Sequence, residues 1–285
     1  MPLAALGLIL VAAITHAGWN LVLKQAQQKL VFMWWALVVG TIGFTLLLPV
    51  SPPLPLRVWP YALSSALAEA GYYFALTWAY DIDDFSLIYP MARGAAPALL
   101  VLWATLFLGE HPRPTGLLGI AVLVLGLIVV GSGGILSLQG KTQFSIKGIL
   151  AAFCAATCIS IYTAIDGAAV RFVSPTPYTV LLFFLSVILV APAVLWHYGH
   201  RAVISEWRAN WPRIILVGIL CIAAYILVLQ AYTMTHVSYG GAVREISVVF
   251  AAFIGWRWLG ESFGIVRTIG AILIFMGILV IAIAG

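Results

Sequence analysis

The chain has 285 residues, of which 64% are hydrophobic and only 8% charged, with a formal net charge of +5. A water-soluble domain carries about 25% charged and about 45–50% apolar residues, so this composition excludes a soluble globular protein and makes lipid the solvent. The basic residues are scattered among apolar runs and form no cluster, which fits membrane flanks and argues against a nucleic-acid partner.

A hydrocarbon core is crossed by about 20 mainly apolar residues. On that length the chain predicts ten helices, at roughly 2–24, 30–50, 58–80, 86–108, 115–135, 146–168, 176–197, 212–233, 238–259 and 264–284. The first apolar run starts at once and continues into a full-length span, unlike a cleavable signal peptide. Connectors are short and rich in breakers or charge, among them Ser51-Pro52-Pro53 and Glu110-His111-Pro112-Arg113-Pro114. The longer polar gaps run from Ser132 to Lys147 and from Tyr198 to Trp211. In the second, Trp207 and Trp211 with Arg208 and Arg213 read as an interfacial segment where aromatic rings meet headgroups. Cys154, Cys158 and Cys221 have no pairing or metal-ligand spacing and read as small buried hydrophobes.

The chain repeats itself. Ala79-Tyr80 aligns with Ala231-Tyr232 at a separation of 152, and Arg93 aligns with Arg244 at 151, as Gly109-Glu110 does with Gly260-Glu261. Tyr73 falls on Tyr225, Gly119 on Gly270 and Gly126 on Gly277. The repeat divides the chain into 1–135, a linker at 136–145, and 146–285. Each half holds five helices. Because five is odd, the second half must enter the membrane from the opposite side, and inverted repeats place a site near the midplane where the halves meet. The expected fold is therefore an all-α integral membrane protein of ten transmembrane helices in two inverted five-helix repeats.

Charges inside a span cost about 2.5–3.5 kcal/mol at a helix centre on the insertion scale, so they should face a cavity or each other. Five fall there: Glu69, Arg93, Asp166, Arg244 and Glu245. Helical spacing adds their company. His16, Asn20 and Lys24 form one stripe with Trp19 beside it. Glu69, Tyr73 and Tyr80 share a face with Tyr72 next to them. Tyr89, Arg93 and Pro97 recur at intervals of four, as do Cys158, Tyr162 and Asp166, and Tyr225 and Tyr232 lie on helix 8. Together these residues predict a substrate-binding cavity of His16, Trp19, Asn20, Glu69, Tyr73, Tyr80, Tyr89, Arg93, Tyr162, Asp166, Tyr225 and Arg244. The bland alternative is static pairing, Arg93 with Glu69 and Arg244 with Asp166. Glu245 follows Arg244 and on a regular helix points about 100° away from it. Gly240-Gly241 would be the weak point of helix 9, and Glu110 and Glu261 would end their helices at the membrane interface. Helices 5 and 10 carry no charge over Leu117–Val130 and Ile269–Ile283. Their glycines, seven apart, read as scaffold or a homodimer contact.

His16-Ala17-Gly18-Trp19-Asn20 with Lys24, the Ala-Tyr turns, the two Leu-Gly-Glu helix endings and the five-plus-five duplication resemble the EamA-like branch of the drug/metabolite transporter superfamily. The likeness covers essentially the whole chain. It implies a transporter with a central pocket from helices 1, 3, 4, 6, 8 and 9, and cytoplasmic termini. The loop charges argue the other orientation, since Arg57, Arg113 and Arg171 fall on the side of the termini and Lys24, Lys29, Lys141, Lys147, Arg201, Arg208, Arg213, Arg257 and Arg267 opposite, with Lys24, Arg257 and Arg267 counting less at helix ends. No metalloprotease motif or nucleophile–base grouping points to an enzyme, and no cofactor motif is present. The expected function is secondary transport of a small metabolite, with arginine forks suited to an anionic group and carboxylates to an ammonium. A coupling proton or ion remains open on this reading. A facilitator, or an exporter of cationic or neutral aromatic compounds, is the competing expectation.

Overall fold

The computed structural model describes residues 1–82, 85–137, 146–250, 253 and 265–284; for 24, 76–82, 85–91, 131–137 and 267 it describes the backbone alone. Among the described residues all regular structure is helical. The helices are α1 (Leu3–Lys24), α2 (Lys29–Phe44), α3 (Trp59–Ile82), α4 (Phe85–Leu108), α5 (Pro114–Ser137), α6 (Ile146–Ala169), α7 (Pro175–Tyr232), α8 (Val237–Arg244) and α9 (Ile265–Ala284). Two short 3₁₀ turns, Thr45–Val50 and Leu56–Val58, join α2 to α3. In lipid every backbone N–H and C=O needs an internal partner, which a continuous helix supplies.

Predicted helices 7 and 8 are joined within α7, because the polar stretch expected to be a loop is itself helical. Residues 200–211 contain neither Gly nor Pro to stop a helix. The direction changes at Gly199 alone, whose φ of 75° is one that a side chain disfavours. Indole N–H groups of α2 hold this long element in place. Trp34 donates to the Val187 carbonyl at 3.2 Å and Trp35 to that of Val203 at 2.9 Å, while Trp35 packs on Trp207 with ring centroids 5.0 Å apart.

Two seams let backbones approach closely. In one, α5 lies on α9: a Cβ on Gly126 would come 2.8 Å from the Gly270 carbonyl oxygen, and one on Gly119 2.9 Å from that of Gly277. The repeated glycines thus face each other within the chain, which leaves the expected homodimer through these helices without its motif. In the other seam, not anticipated from the sequence, Gly40 of α2 meets Gly218 of α7. A Cβ on Gly218 would stand 2.3 Å from the Ala36 carbonyl oxygen. Gly218→Val is expected to cost about 1–3 kcal/mol through overpacking. Gly43→Ala, where nothing lies within 4 Å of the added carbon, should be tolerated. Thermal unfolding of the two variants in detergent checks the pair.

Candidate functional site

The sequence of helix 9 begins as a regular helix but does not stay one. After α8 ends at Arg244 the backbone makes a tight turn, with Glu245 N–H donating to the Ala242 carbonyl at 3.0 Å and Ile246 N–H to that of Val243 at 3.1 Å, before helix resumes at 247–250. The interruption lies beside the charges and not at Gly240-Gly241, which stay helical. Those glycines make room instead: a Cβ on Gly240 would strike the Tyr232 ring at 2.7 Å and one on Gly241 the Leu100 side chain at 2.3 Å. Irregular backbone at membrane depth is tolerated where it is buried in protein or lines a cavity, and broken helices of this kind form transporter sites.

The turn settles the partnership of the arginines. Arg93 Nη1 donates to both carboxylate oxygens of Glu245, at 3.1 and 3.3 Å, and the two side chains are 9% and 3% exposed. Its Nη2 lies 3.0 Å from His16 Nε2. A guanidinium can only donate, so that imidazole nitrogen is the acceptor. Arg93 is therefore neutralised by Glu245 and not by Glu69, correcting the expected pairing. Removing one member of a buried pair costs about 3–5 kcal/mol, because the other charge is left uncompensated. Arg93→Gln and Glu245→Gln should each lower the unfolding temperature sharply, and the double variant should recover most of the loss; a double-mutant cycle on thermal stability measures it.

Arg244, on the same helix, differs. It is half-buried, and no carboxylate among the described residues lies within 4.0 Å of it. Its electrostatic neighbours include Tyr232, Tyr162, Glu245 and Arg93, together with Glu69 and Asp166. The expected Arg244–Asp166 pair does not form. Asp166 is fully buried and is held by hydroxyls instead, with Tyr178 donating to Oδ1 at 2.6 Å and Tyr225 to Oδ2. Glu69 accepts from Ser186 and, over 3.5 Å, from Tyr73. No Lys or Arg among the described residues stands within 4.0 Å of Glu69 or Asp166. Among the described residues the site thus holds a cation, Arg244, with no carboxylate within 4.0 Å, and two carboxylates, Glu69 and Asp166, with no Lys or Arg within that distance.

Around these charges, Trp19 stacks edge-on against His16 with centroids 4.7 Å apart, and Tyr72 packs similarly on Tyr162 at 6.4 Å. Trp19 Nε1 and Tyr232 Oη are buried without a hydrogen-bond partner among the described residues. Asn20 turns back on its own helix, donating one amide hydrogen to the His16 carbonyl at 2.8 Å. The side chains of Tyr80, Tyr89 and Lys24 lie outside the described ones. A void of about 10 Å³ lies at Arg244 and Glu245, between Pro97, Ser160, Thr163 and Gly241. Tyr178 and Ser186 were not foreseen. The signal for Ser186 was present, since it is the lone hydroxyl in the apolar run 180–195.

Glu110 also departs from expectation. Gly109 takes a φ of 63° at the end of α4, and this left-handed cap turns the chain inward. Glu110 is consequently 3% exposed and not at the interface. Its carboxylate accepts from Val237 N–H at 2.6 Å, Ser238 N–H at 3.1 Å and Ser238 Oγ at 2.7 Å, capping the start of α8. Arg171 reaches it at 3.4 Å, and Tyr239 Oη accepts from Arg113 N–H at 2.8 Å. Glu261 lies outside the described residues.

A site of buried charges beside a broken helix, within a bundle of apolar helices, is what a membrane transporter requires. The model of the EamA-like transporter family matches residues 3–132 and 146–283. The chain belongs to the EamA-like transporter family. It is an integral, multi-pass membrane protein that transports small molecules. The pseudopaline exporter CntI of Pseudomonas aeruginosa strain PAO1 is 24% identical over 263 residues, covering 88% of this chain and 86% of that relative. YwfM of Bacillus subtilis strain 168, described as an uncharacterized transporter, is 24% identical over 264 residues, covering 91% and 86%. A crystal structure at 21% identity covers 99% of this chain and 98% of its own with a TM-score of 0.74, and so shares the fold.

Proposed function

We propose that this EamA-like protein is an alternating-access secondary transporter whose central site takes a small zwitterion, such as an amino acid or an aminophosphonate. The observation that carries the reading is the split of charges: among the described residues, Arg244 has no carboxylate within 4.0 Å, and Glu69 and Asp166 have no Lys or Arg within that distance. A ligand with both signs complements such a site, whereas a plain cation leaves the arginine uncompensated in a desolvated place. Arg244 receives the anionic group by charge-assisted hydrogen bonds, and the Trp19 indole and Tyr232 hydroxyl, without a partner among the described residues, stand as further donors. Glu69, half-buried where Asp166 is fully enclosed, receives the ammonium.

On this reading the halves 1–135 and 146–285, joined by 136–145, are inverted five-helix units that rock about the site. The match of one family model to two successive stretches supports the duplication, and the smallness of the void beside Arg244 supports a cycle in which helices separate. The exporter among its relatives supports outward transport, which would draw on a coupled proton or ion. A second reading, export of cationic or neutral aromatic compounds, is favoured by the rings of Trp19, Tyr72 and Tyr162. Counterflow in proteoliposomes separates these readings. Saturable exchange of labelled amino acid or aminophosphonate against an unlabelled pool is expected; flux without counterflow, or exchange confined to compounds lacking an anionic group, overturns the proposal.

A further inference from the structure

Away from the central site, the turn between α1 and α2 and the helical segment after Gly199 enclose a polar cavity of about 290 Å³. It is lined by Gln25, Gln27 and Gln28 on one side and by Glu206, Asn210 and Arg213 on the other. Glu206, Asn210 and Arg213 recur at intervals of four and three, so they form one face of α7, with about 10 Å of helix rise from the first to the last. Glu206 is 6% exposed, and the bond it accepts from Asn210 Nδ2 at 2.8 Å is one of the several its carboxylate can take. Arg213 lines the same cavity but does not come within 4.0 Å of the carboxylate. Across the cavity, Gln28 Oε1 is buried with no hydrogen-bond partner among the described residues. A buried acceptor left unpaired costs about 1–3 kcal/mol, and an uncompensated carboxylate costs more.

We propose that this cavity is a binding site for a primary ammonium group, held by Glu206 and Gln28 Oε1, with Arg213 taking an anionic group on the same ligand. An ammonium carries three N–H donors, and the Glu206 carboxylate and the Gln28 amide oxygen, on residues that line the cavity, are acceptors for them. The cavity is rigid on its α7 side, where Trp35 holds the Val203 carbonyl and packs on Trp207. Its volume, near the lower end of ligand pockets at about 300 Å³, suits a small headgroup. Trp211, next to Asn210 in the chain, is half exposed, as an aromatic residue at the membrane interface is. An ammonium next to an anionic group is supplied either by the headgroup of phosphatidylethanolamine or by a free solute such as glycerophosphoethanolamine.

The full chain reconstituted in phosphatidylglycerol nanodiscs tests the site by thermal unfolding and by the fluorescence of its tryptophans, Trp207 among them. One arm dopes the discs with phosphatidylethanolamine, a second with phosphatidylcholine, and a third adds glycerophosphoethanolamine in solution. A saturable rise in unfolding temperature is expected from the first or third arm, which identifies the source, with little from phosphatidylcholine, whose quaternary ammonium has no N–H. Glu206→Gln should abolish the rise. Gln28→Ala, at the accessible turn before α2, should weaken it at least several-fold and covers the case of a poorly folding Glu206 variant. Equal stabilisation by phosphatidylcholine, no stabilisation by either ethanolamine source, or an undiminished response in both variants overturns the proposal.

Discussion

Replacing Arg244 by glutamine should weaken binding of zwitterionic and anionic-headed solutes by about 10- to 100-fold while leaving the protein folded. The magnitude follows from hydrogen bonds to a charged group, worth about 1.5–3 kcal/mol, at about 1.4 kcal/mol per tenfold. Folding survives because no carboxylate among the described residues lies within 4.0 Å of Arg244 to be orphaned by the change. Arg93→Gln is the contrast, since it strands Glu245 and should act first on stability. Compounds that carry an ammonium but no anionic group should bind the Arg244 variant at least as well as the wild type, because a repelling cation is gone. A thermal-shift series over matched pairs, each solute with and without its carboxylate or phosphonate, measures the selectivity. Unaltered transport by the variant, or a wild type stabilised only by cations lacking any anionic group, would sink the reading of Arg244 as the anion site.

The charges could be placed at the centre from their cost alone, because a lipid-embedded Arg or Asp has few places to be. Glu69, Arg93, Asp166 and Arg244 were legible on that ground, and the helix ends followed from Gly, Pro and charge. Partnership was not legible. The pairing of Arg93 with Glu245 depends on the tight turn after Arg244, and a regular helix would have turned Glu245 about 100° aside. Tyr178 and Ser186 were hidden because hydroxyls on an apolar helix pass for packing, and only tertiary contact shows that they hold Asp166 and Glu69. Asn20 is ambiguous for a related reason. Its place on a polar stripe suggested a ligand contact, but an amide at helical spacing can equally satisfy itself on the carbonyl four residues back. That the polar gap at 200–211 is helical was not legible, because polarity alone does not distinguish a polar helix from a connector.

Glu110→Ala should destabilise the protein by about 2–5 kcal/mol, far more than loss of its exposed ion-pair partner. The first N–H groups of a helix have no intrahelical acceptor, and at the start of α8 two of them, from Val237 and Ser238, are met by the Glu110 carboxylate in a buried place. Alanine leaves both donors unsatisfied at about 1–3 kcal/mol each and removes a negative charge from the positive end of the helix dipole. Glutamine should be intermediate, since its oxygen replaces one acceptor while its NH₂ meets a donor. Arg171→Ala should cost under about 1 kcal/mol, because the Arg171 side chain is 47% exposed. The effect should also reach the site. α8 is 8 residues long and runs from the Glu110 cap to Arg244, about 12 Å of helix rise, so fraying at its start loosens the arginine at its end. Hydrogen–deuterium exchange across 237–244 should therefore speed up in Glu110→Ala, and affinity for anionic-headed solutes should fall together with stability. Unchanged exchange there, with unfolding at the wild-type temperature, would show that the cap does not hold the site.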